Sequence, residues 1–159
     1  ILSSDNIAFI RGKGKGKGNG KMISKMMNEK IMEGIRAHMQ DLSGFDRIEL
    51  LEIEPGHSLF KIEITEKMLN HYGAVHGGAL YTLCDMVSGM TAYAYGVTNV
   101  TLSGNINYVR PAGVGTLYIE CNSLHKGRTT VVQDVTVRDK EEKLLCTARM
   151  TMYITGEVE

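Results

Sequence analysis

The sequence predicts an α+β fold, an antiparallel sheet of about six strands wrapped around a long central helix, with an extra helix at the N-terminal side. Three observations predict it. Apolar residues recur every three or four positions in two segments, 22–42 and 77–95, and alternate with polar residues in six others. The connections within the last four alternating segments are too short for the crossovers that parallel strands need.

In chain order, "RGKGKGKGNGK" (11–21) alternates glycine with lysine, which favours backbone entropy and charge repulsion and offers nothing to bury. Residues 1–21 therefore read as a flexible basic leader or cloning remnant, and 22–159 as a single domain. A phosphate loop is not supported, because Lys21 is followed by Met22 where GxxxxGK[ST] needs Ser or Thr after a strand. Met27, Ile31, Ile35, Met39 and Leu42 form the stripe of an amphipathic helix ending near Gly44. Ile48, Leu50 and Ile53, a Pro55-Gly56 turn, and then Phe60, Ile62 and Ile64 alternating with Lys61, Glu63 and Thr65 predict a hairpin. A loop at 66–76 leads into the helix at 77–95, whose near-absence of charge implies burial almost all round. Strands follow at about 99–109, 115–125, 128–138 and 144–154, separated by Pro111-Ala112-Gly113, Lys126-Gly127 and Asp139–Glu142.

The 159 residues suit one domain with a sizeable core. The net charge is zero, but residues 1–21 hold five Lys/Arg against one Asp, which leaves 13 basic and 17 acidic residues, a net of minus four, in the rest. That body has no nucleic-acid signature. Cys84, Cys121 and Cys146 are odd in number and far apart, fitting neither a disulfide framework nor a CxxC metal site, so a reducing, cytoplasmic setting is expected. No apolar run approaches the roughly 20 residues that span a bilayer, and "IAFI" (7–10) is too short for a signal-peptide core. His71 and His76 lack an HxxxH spacing or a nearby carboxylate, so no metal is expected.

The chemistry gathers in "NHYGAVHGGALYTLCD" (70–85). A helix start exposes unpaired N–H groups and partial positive charge. Gly77 and Gly78 stand there without side chains, so a ligand carbonyl can come close, which is the layout of an oxyanion hole. Asp85 lies on the side of the helix that carries Tyr81, Ser88 and Ala92. An acid in so apolar a helix is costly unless it is paired or functional. It either bonds a neighbouring group and fixes packing, or does chemistry. Eight residues at about 1.5 Å each put Gly77 and Asp85 about 12 Å apart along the axis. If both act in one reaction, the simplest arrangement is a two-fold dimer in which the Gly77 end of one subunit faces Asp85 of the other. His76 is a general-base candidate, although a ring at the helix start can equally bond loop backbone and orient it. No GxSxG elbow is present.

Asn70, His76-Gly77-Gly78, Asp85 and "INYVRPAG" (106–113), together with the element order over about 27–155, resemble the hotdog-fold acyl-CoA thioesterases, in particular the phenylacetyl-CoA (PaaI-like) branch. The resemblance implies hydrolysis of an acyl- or aryl-CoA thioester, with Gly77 N–H polarising the carbonyl and Asp85 acting as base toward water or as nucleophile. Asn70 matches the residue that contacts the thioester or the water. A strand hydroxyl that supports the acid falls on Thr101 counting back from Arg110-Pro111, or on Ser103 counting forward from Asp85, with both side chains expected on one face. Coenzyme A, part of the substrate rather than a cofactor, would meet Gly78, Tyr108, Val109, Arg110 and Pro111 and the turn His125, Lys126, Gly127, Arg128 and Thr129. Arg110, Lys126 and Arg128 would pair with phosphates or be solvated turn charges. Met68, Tyr72, Tyr81 and Met86 are expected to wall the acyl pocket. A homodimer, and a dimer of dimers (a homotetramer), follow from the resemblance. The same fold also supports two other readings, a non-catalytic acyl-CoA-binding regulator, usually with an attached DNA-binding domain, and a dehydratase, which uses a His and an acid on different elements.

Overall fold

The structure is a computed structural model and describes residues 29–40 and 47–158. The expected leader lies outside these residues, as do both ends of the first expected helix. That helix, α1, is described over Glu29–Gln40; of the expected stripe Ile35 is buried and Ile31 half-buried, while Met32, outside the stripe, is buried too. The strands are β1 (Ile48–Glu54), β2 (His57–Ile64), β3 (Val97–Tyr108), β4 (Gly115–Lys126), β5 (Thr130–Asp139) and β6 (Leu144–Glu157), and the central helix α2 spans Gly77–Tyr93. The expected 66–76 loop contains one 3₁₀ turn, Glu66–Met68, and a bridge between Leu69 and Val75.

All neighbouring strands are antiparallel, in the order β1-β2-β4-β5-β6-β3. The chain therefore makes a hairpin, passes through α2, and sends β3 to the far edge before β4 returns beside β2. Alternation sets which face of each strand is apolar. On β4 and β5, Leu117, Ile119, Cys121, Val131, Val135 and Val137 are all buried on the inner face. α2 packs across that face against β2 to β6, burying Leu80, Leu83, Cys84, Val87, Met90 and Thr91. Thr91 satisfies its buried hydroxyl on the Val87 carbonyl and on Ser58. The hotdog arrangement expected from the sequence is thus the fold: a sheet curled around one helix.

Two local features position the site. β3 carries a bulge between Thr101 and Ser103, since Thr101 pairs with Met152 and Ser103 with the adjacent Thr151, leaving Leu102 as the extra residue. A bulge changes which residues face inward. Inward-facing positions run Asn99, Thr101 and then Gly104, Ile106 and Tyr108, opposite Ile154, Met152, Met150, Ala148 and Cys146. Gly104 is the closest-packed of these: a Cβ there would collide with the Tyr81 hydroxyl and lie 2.8 Å from the Met150 thioether.

Candidate active site

The start of α2 is built by its preceding loop. Asn70 Oδ1 accepts the N–H groups of Tyr72 (2.9 Å) and Ala74 (3.2 Å), and Asn70 N–H donates to the Ala74 carbonyl (2.7 Å). The carbonyl half of that side chain is thereby committed to the turn, while its Nδ2 makes no hydrogen bond within the described chain. Val75 N–H then ties the loop to Ala112, just beyond the end of β3 (2.8 Å). His76 is the N-cap. Among the described residues its exposed ring makes no hydrogen bond that would cap the helix. Backbone does that work instead: the His76 carbonyl accepts Ala79 N–H (3.0 Å) and Leu80 N–H (3.2 Å). The N–H groups of Gly77 and Gly78 have no carbonyl four residues earlier in the helix to bond.

Two turns further along, Asp85 is half-buried and receives the Thr101 hydroxyl at 2.5 Å on Oδ1. Among the described residues it forms no salt bridge. Ser103 does not share this face. The bulge at Leu102 turns it outward beside Thr151, so the expectation that both hydroxyls point the same way fails for want of an unbroken period of two. At the opposite end of β3 the Tyr108 hydroxyl donates to the Gly77 carbonyl at 2.7 Å, and beyond Thr101, one turn past Asp85, Asn99 Nδ2 donates to the Gly89 carbonyl at 3.1 Å. β3 is thus pinned along α2, with one candidate group at each end.

The expected coenzyme A segments divide between the same two ends. Val109 and Arg110 N–H both bond the Leu145 carbonyl (2.7 and 3.0 Å), and the Arg110 guanidinium donates to Leu144 (2.8 Å). Arg110 and Pro111 are exposed on the Gly77 side. His125, Lys126, Arg128 and Thr129 are exposed at the β4–β5 turn, which Gly127 N–H closes onto Thr130 (2.8 Å), near the Thr101 end. Tyr108 pairs with Cys146 and Thr101 with Met152, six residues along β6, or about 20 Å at ~3.3 Å per residue. A single protomer therefore does not bring the two cationic segments together.

The expected acyl walls do not form one pocket in a single chain. Tyr72 is 82% exposed with its ring against His71, whereas Met86 is 3% exposed within the core. A groove of about 460 Å³ lies elsewhere, on the outer face of the sheet, lined by Asn105, Asn107, Asp134, Thr136, Thr147 and Arg149. Cys84 and Cys121 do not supply a nucleophile. Burial pushes the Cys121 thiol up to about 12, and the Cys146 thiol together with burial pushes Cys84 up as well, so neither is a thiolate near neutrality. No group of three or more His, Cys, Asp or Glu among the described residues is placed to hold a metal, and no described helix is long and apolar enough to cross a membrane.

Comparison with known proteins gives this geometry its family. The thioesterase superfamily profile matches residues 72–146. A protein of Streptococcus mutans UA159, solved bound to acetyl CoA, is 37% identical and covers 77% of this chain and 99% of its own at a TM-score of 0.72. The chain belongs to the hotdog-fold thioesterase superfamily. A hypothetical thioesterase of Streptococcus pneumoniae TIGR4, solved with coenzyme A, is 34% identical over 80% of this chain and 99% of its own, at a TM-score of 0.75. The acyl-coenzyme A thioesterase PaaI of Escherichia coli K12 is 27% identical over 116 residues, 69% of this chain and 83% of that one. This hotdog thioesterase falls in the PaaI-like branch and is a thioester hydrolase. The signal in the sequence that pointed there was the spacing of His76-Gly77-Gly78 to Asp85. Tyr108's bond to Gly77 had no sequence signal beyond a glycine able to admit its ring.

Proposed function

We propose that the chain hydrolyses an acyl- or aryl-CoA thioester to the free acid and coenzyme A at a site shared by two protomers. The observation that carries this reading is the Thr101–Asp85 hydrogen bond two turns along the helix whose open end presents Gly77. The thioester oxygen would sit at the Gly77 N–H of one protomer, where the helix dipole and an unpaired donor stabilise the developing oxyanion. Asp85 of the other would take a proton from water as the water attacks the carbonyl carbon. Collapse of the tetrahedral intermediate breaks the C–S bond, and the coenzyme A thiolate recovers the proton. Alternatively Asp85 attacks directly, giving a mixed anhydride that water cleaves. In either case Thr101 orients the carboxylate by holding Oδ1. Asn70 Nδ2 is assigned to the thioester or the attacking water.

The sharing of the site is supported by the edge of the sheet. β3 is a 12-residue edge strand, and it exposes Val100 (54%) and Leu102 (60%). A long edge with no charged residue and with exposed apolar side chains favours pairing with another chain. Antiparallel pairing of β3 with its two-fold mate would cover it and bring the Gly77 end of one protomer to the Asp85 end of the other. Arg110 of one chain and Lys126 and Arg128 of the other would then flank one coenzyme A. Among relatives, the Streptococcus pneumoniae thioesterase was also solved with an aspartate, and with a threonine sixteen residues further on, replaced by alanine. Asp85 and Thr101 have the same separation.

The test is thiol release from a panel of acyl- and aryl-CoAs by the wild type and Asp85→Asn. Loss of about 10²- to 10⁴-fold in kcat is expected. Normal turnover by the variant would remove Asp85 from the mechanism, and tight binding of the panel with no hydrolysis by the wild type would instead favour a non-catalytic acyl-CoA-binding regulator.

A further inference from the structure

Tyr108 does something the coenzyme A contact expected of it does not explain. Its ring is 51% exposed, so it contributes little to the core, yet its hydroxyl is committed to the Gly77 carbonyl at 2.7 Å. The approach is close at Gly77, where a Cβ would lie 3.1 Å from both Cζ and the hydroxyl oxygen. The Gly77 carbonyl belongs to the same peptide unit as the Gly78 N–H. A hydrogen bond accepted at the oxygen end of a peptide draws electron density toward it and makes the N–H at the other end a stronger donor. Gly78 N–H is one of the unpaired donors at the helix start, and a Cβ built on Gly78 would meet nothing within 4 Å, so the space beside it is open to a ligand. The unit before it is treated alike, since the His76 carbonyl, accepting two N–H groups, acts on the Gly77 N–H.

We propose that Tyr108 is a positioning residue of the thioester site: its hydroxyl fixes and polarises the Gly77–Gly78 peptide, so that Gly78 N–H joins Gly77 N–H as a second donor to the thioester oxygen. This rests on the reading that the start of α2 receives the substrate carbonyl. Desolvation pushes the Tyr108 phenol above its ordinary value of 10.0, which keeps the hydroxyl protonated and donating at neutral pH.

Tyr108→Phe keeps the ring over Gly77 and deletes only the donor. An oxyanion donor is worth about 10²- to 10³-fold in rate and cooperative polarisation changes a bond by about 10–30%, so kcat for phenylacetyl-CoA should fall roughly two- to eight-fold with KM unchanged. A spectroscopic readout separates this from mere anchoring of β3. In an Asp85→Asn background that retains bound substrate, isotope-edited infrared difference spectra of carbonyl-¹³C phenylacetyl-CoA should show the carbonyl stretch shifted down from its free value, and Tyr108→Phe should return part of that shift. Should the phenylalanine variant fold poorly, 3,5-difluorotyrosine incorporated at position 108 gives a stronger donor, and the stretch should move further down below its pKa. An unchanged stretch and kcat, whatever happens to Tm, would overturn the proposal, as would a rise in KM alone, which would mean direct contact with substrate. If Asp85→Asn abolishes turnover while Tyr108→Phe changes nothing, the site reading survives and this inference fails. If the wild type turns over no thioester, both fall.

Discussion

Replacing Gly77 with proline deletes one candidate oxyanion donor without removing a helical hydrogen bond. Gly77 is the first residue of α2, with His76 as N-cap. Its N–H has no intrahelical acceptor, and proline is well suited to that position because its fixed φ is already helical. The preceding residue must be extended, and His76 already is, at φ −56° and ψ 135°. The steric cost is a Cβ at 3.1 Å from the Tyr108 ring, which must give by a few tenths of an ångström. Stability should therefore change by less than about 1–2 kcal/mol. The lost donor should raise the barrier by about 2.7–4 kcal/mol, a 10²- to 10³-fold fall in kcat. Thiol-release kinetics at saturating substrate, with circular dichroism and sizing to verify the fold, measure both. A folded Gly77→Pro protein within about five-fold of wild-type kcat would refute the assignment of the carbonyl to this helix end.

Three other outcomes follow from the geometry. Thr101→Val removes the hydroxyl from Asp85 and should lower kcat about ten-fold, the effect of losing one hydrogen bond to a charged, half-solvated group, whereas Ser103→Ala should be silent because Ser103 faces outward; equal effects would contradict the bulge at Leu102. Gly104→Ala must displace Tyr81 and Met150, both flexible at their tips, so differential scanning calorimetry should record a loss of about 1 kcal/mol, or ~2–4 °C in Tm. An unchanged Tm would mean that the approach of Tyr81 is not close. The His57–Glu120 pair (3.5 Å) gives a pH signature. Its hydrogen bond raises His57 above 6.5 and lowers Glu120 below 4.5. The raised His57 stabilises fully below 6.5 and loses its effect as pH rises through its folded pKa, while Glu120 stabilises fully above 4.5 and loses its effect as pH falls through its own. His57→Gln should thus lower the unfolding free energy from urea titration at pH ~5.5 by about 0.5–1 kcal/mol and leave it unchanged at pH ~8.5.

The parts of this protein readable from sequence are those set by local period. Alternation in Phe60–Ile64 and the nearly uncharged 77–95 run specify a half-buried strand and a buried helix whatever surrounds them. Strand order was not readable, because sending β3 past β4 and β5 to the far edge depends on pairings between residues distant in the chain, such as Thr101 with Met152. Counting left Thr101 and Ser103 both open, and placed them on one face, for a related reason: one extra residue at Leu102 breaks the parity on which counting relies, and nothing in Leu102 itself announces a bulge. Met86 and Tyr72 do not share a wall within one chain, because helical position fixes direction but not what packs there: one is core and the other surface. The spacing from Gly77 to Asp85 was legible because helical rise is constant. Its consequence, that one chain cannot complete the site, is what most needs testing.

Mixed dimers test it directly. Asp85→Asn and Gly77→Pro chains, each inactive alone, are unfolded together and refolded at equal concentration. If each site takes Gly77 from one protomer and Asp85 from the other, every heterodimer contains one intact site and one doubly altered one, and random pairing returns about a quarter of wild-type activity. If both groups act within one protomer, no chain in the mixture has an intact site, and activity stays at the level of the separate variants.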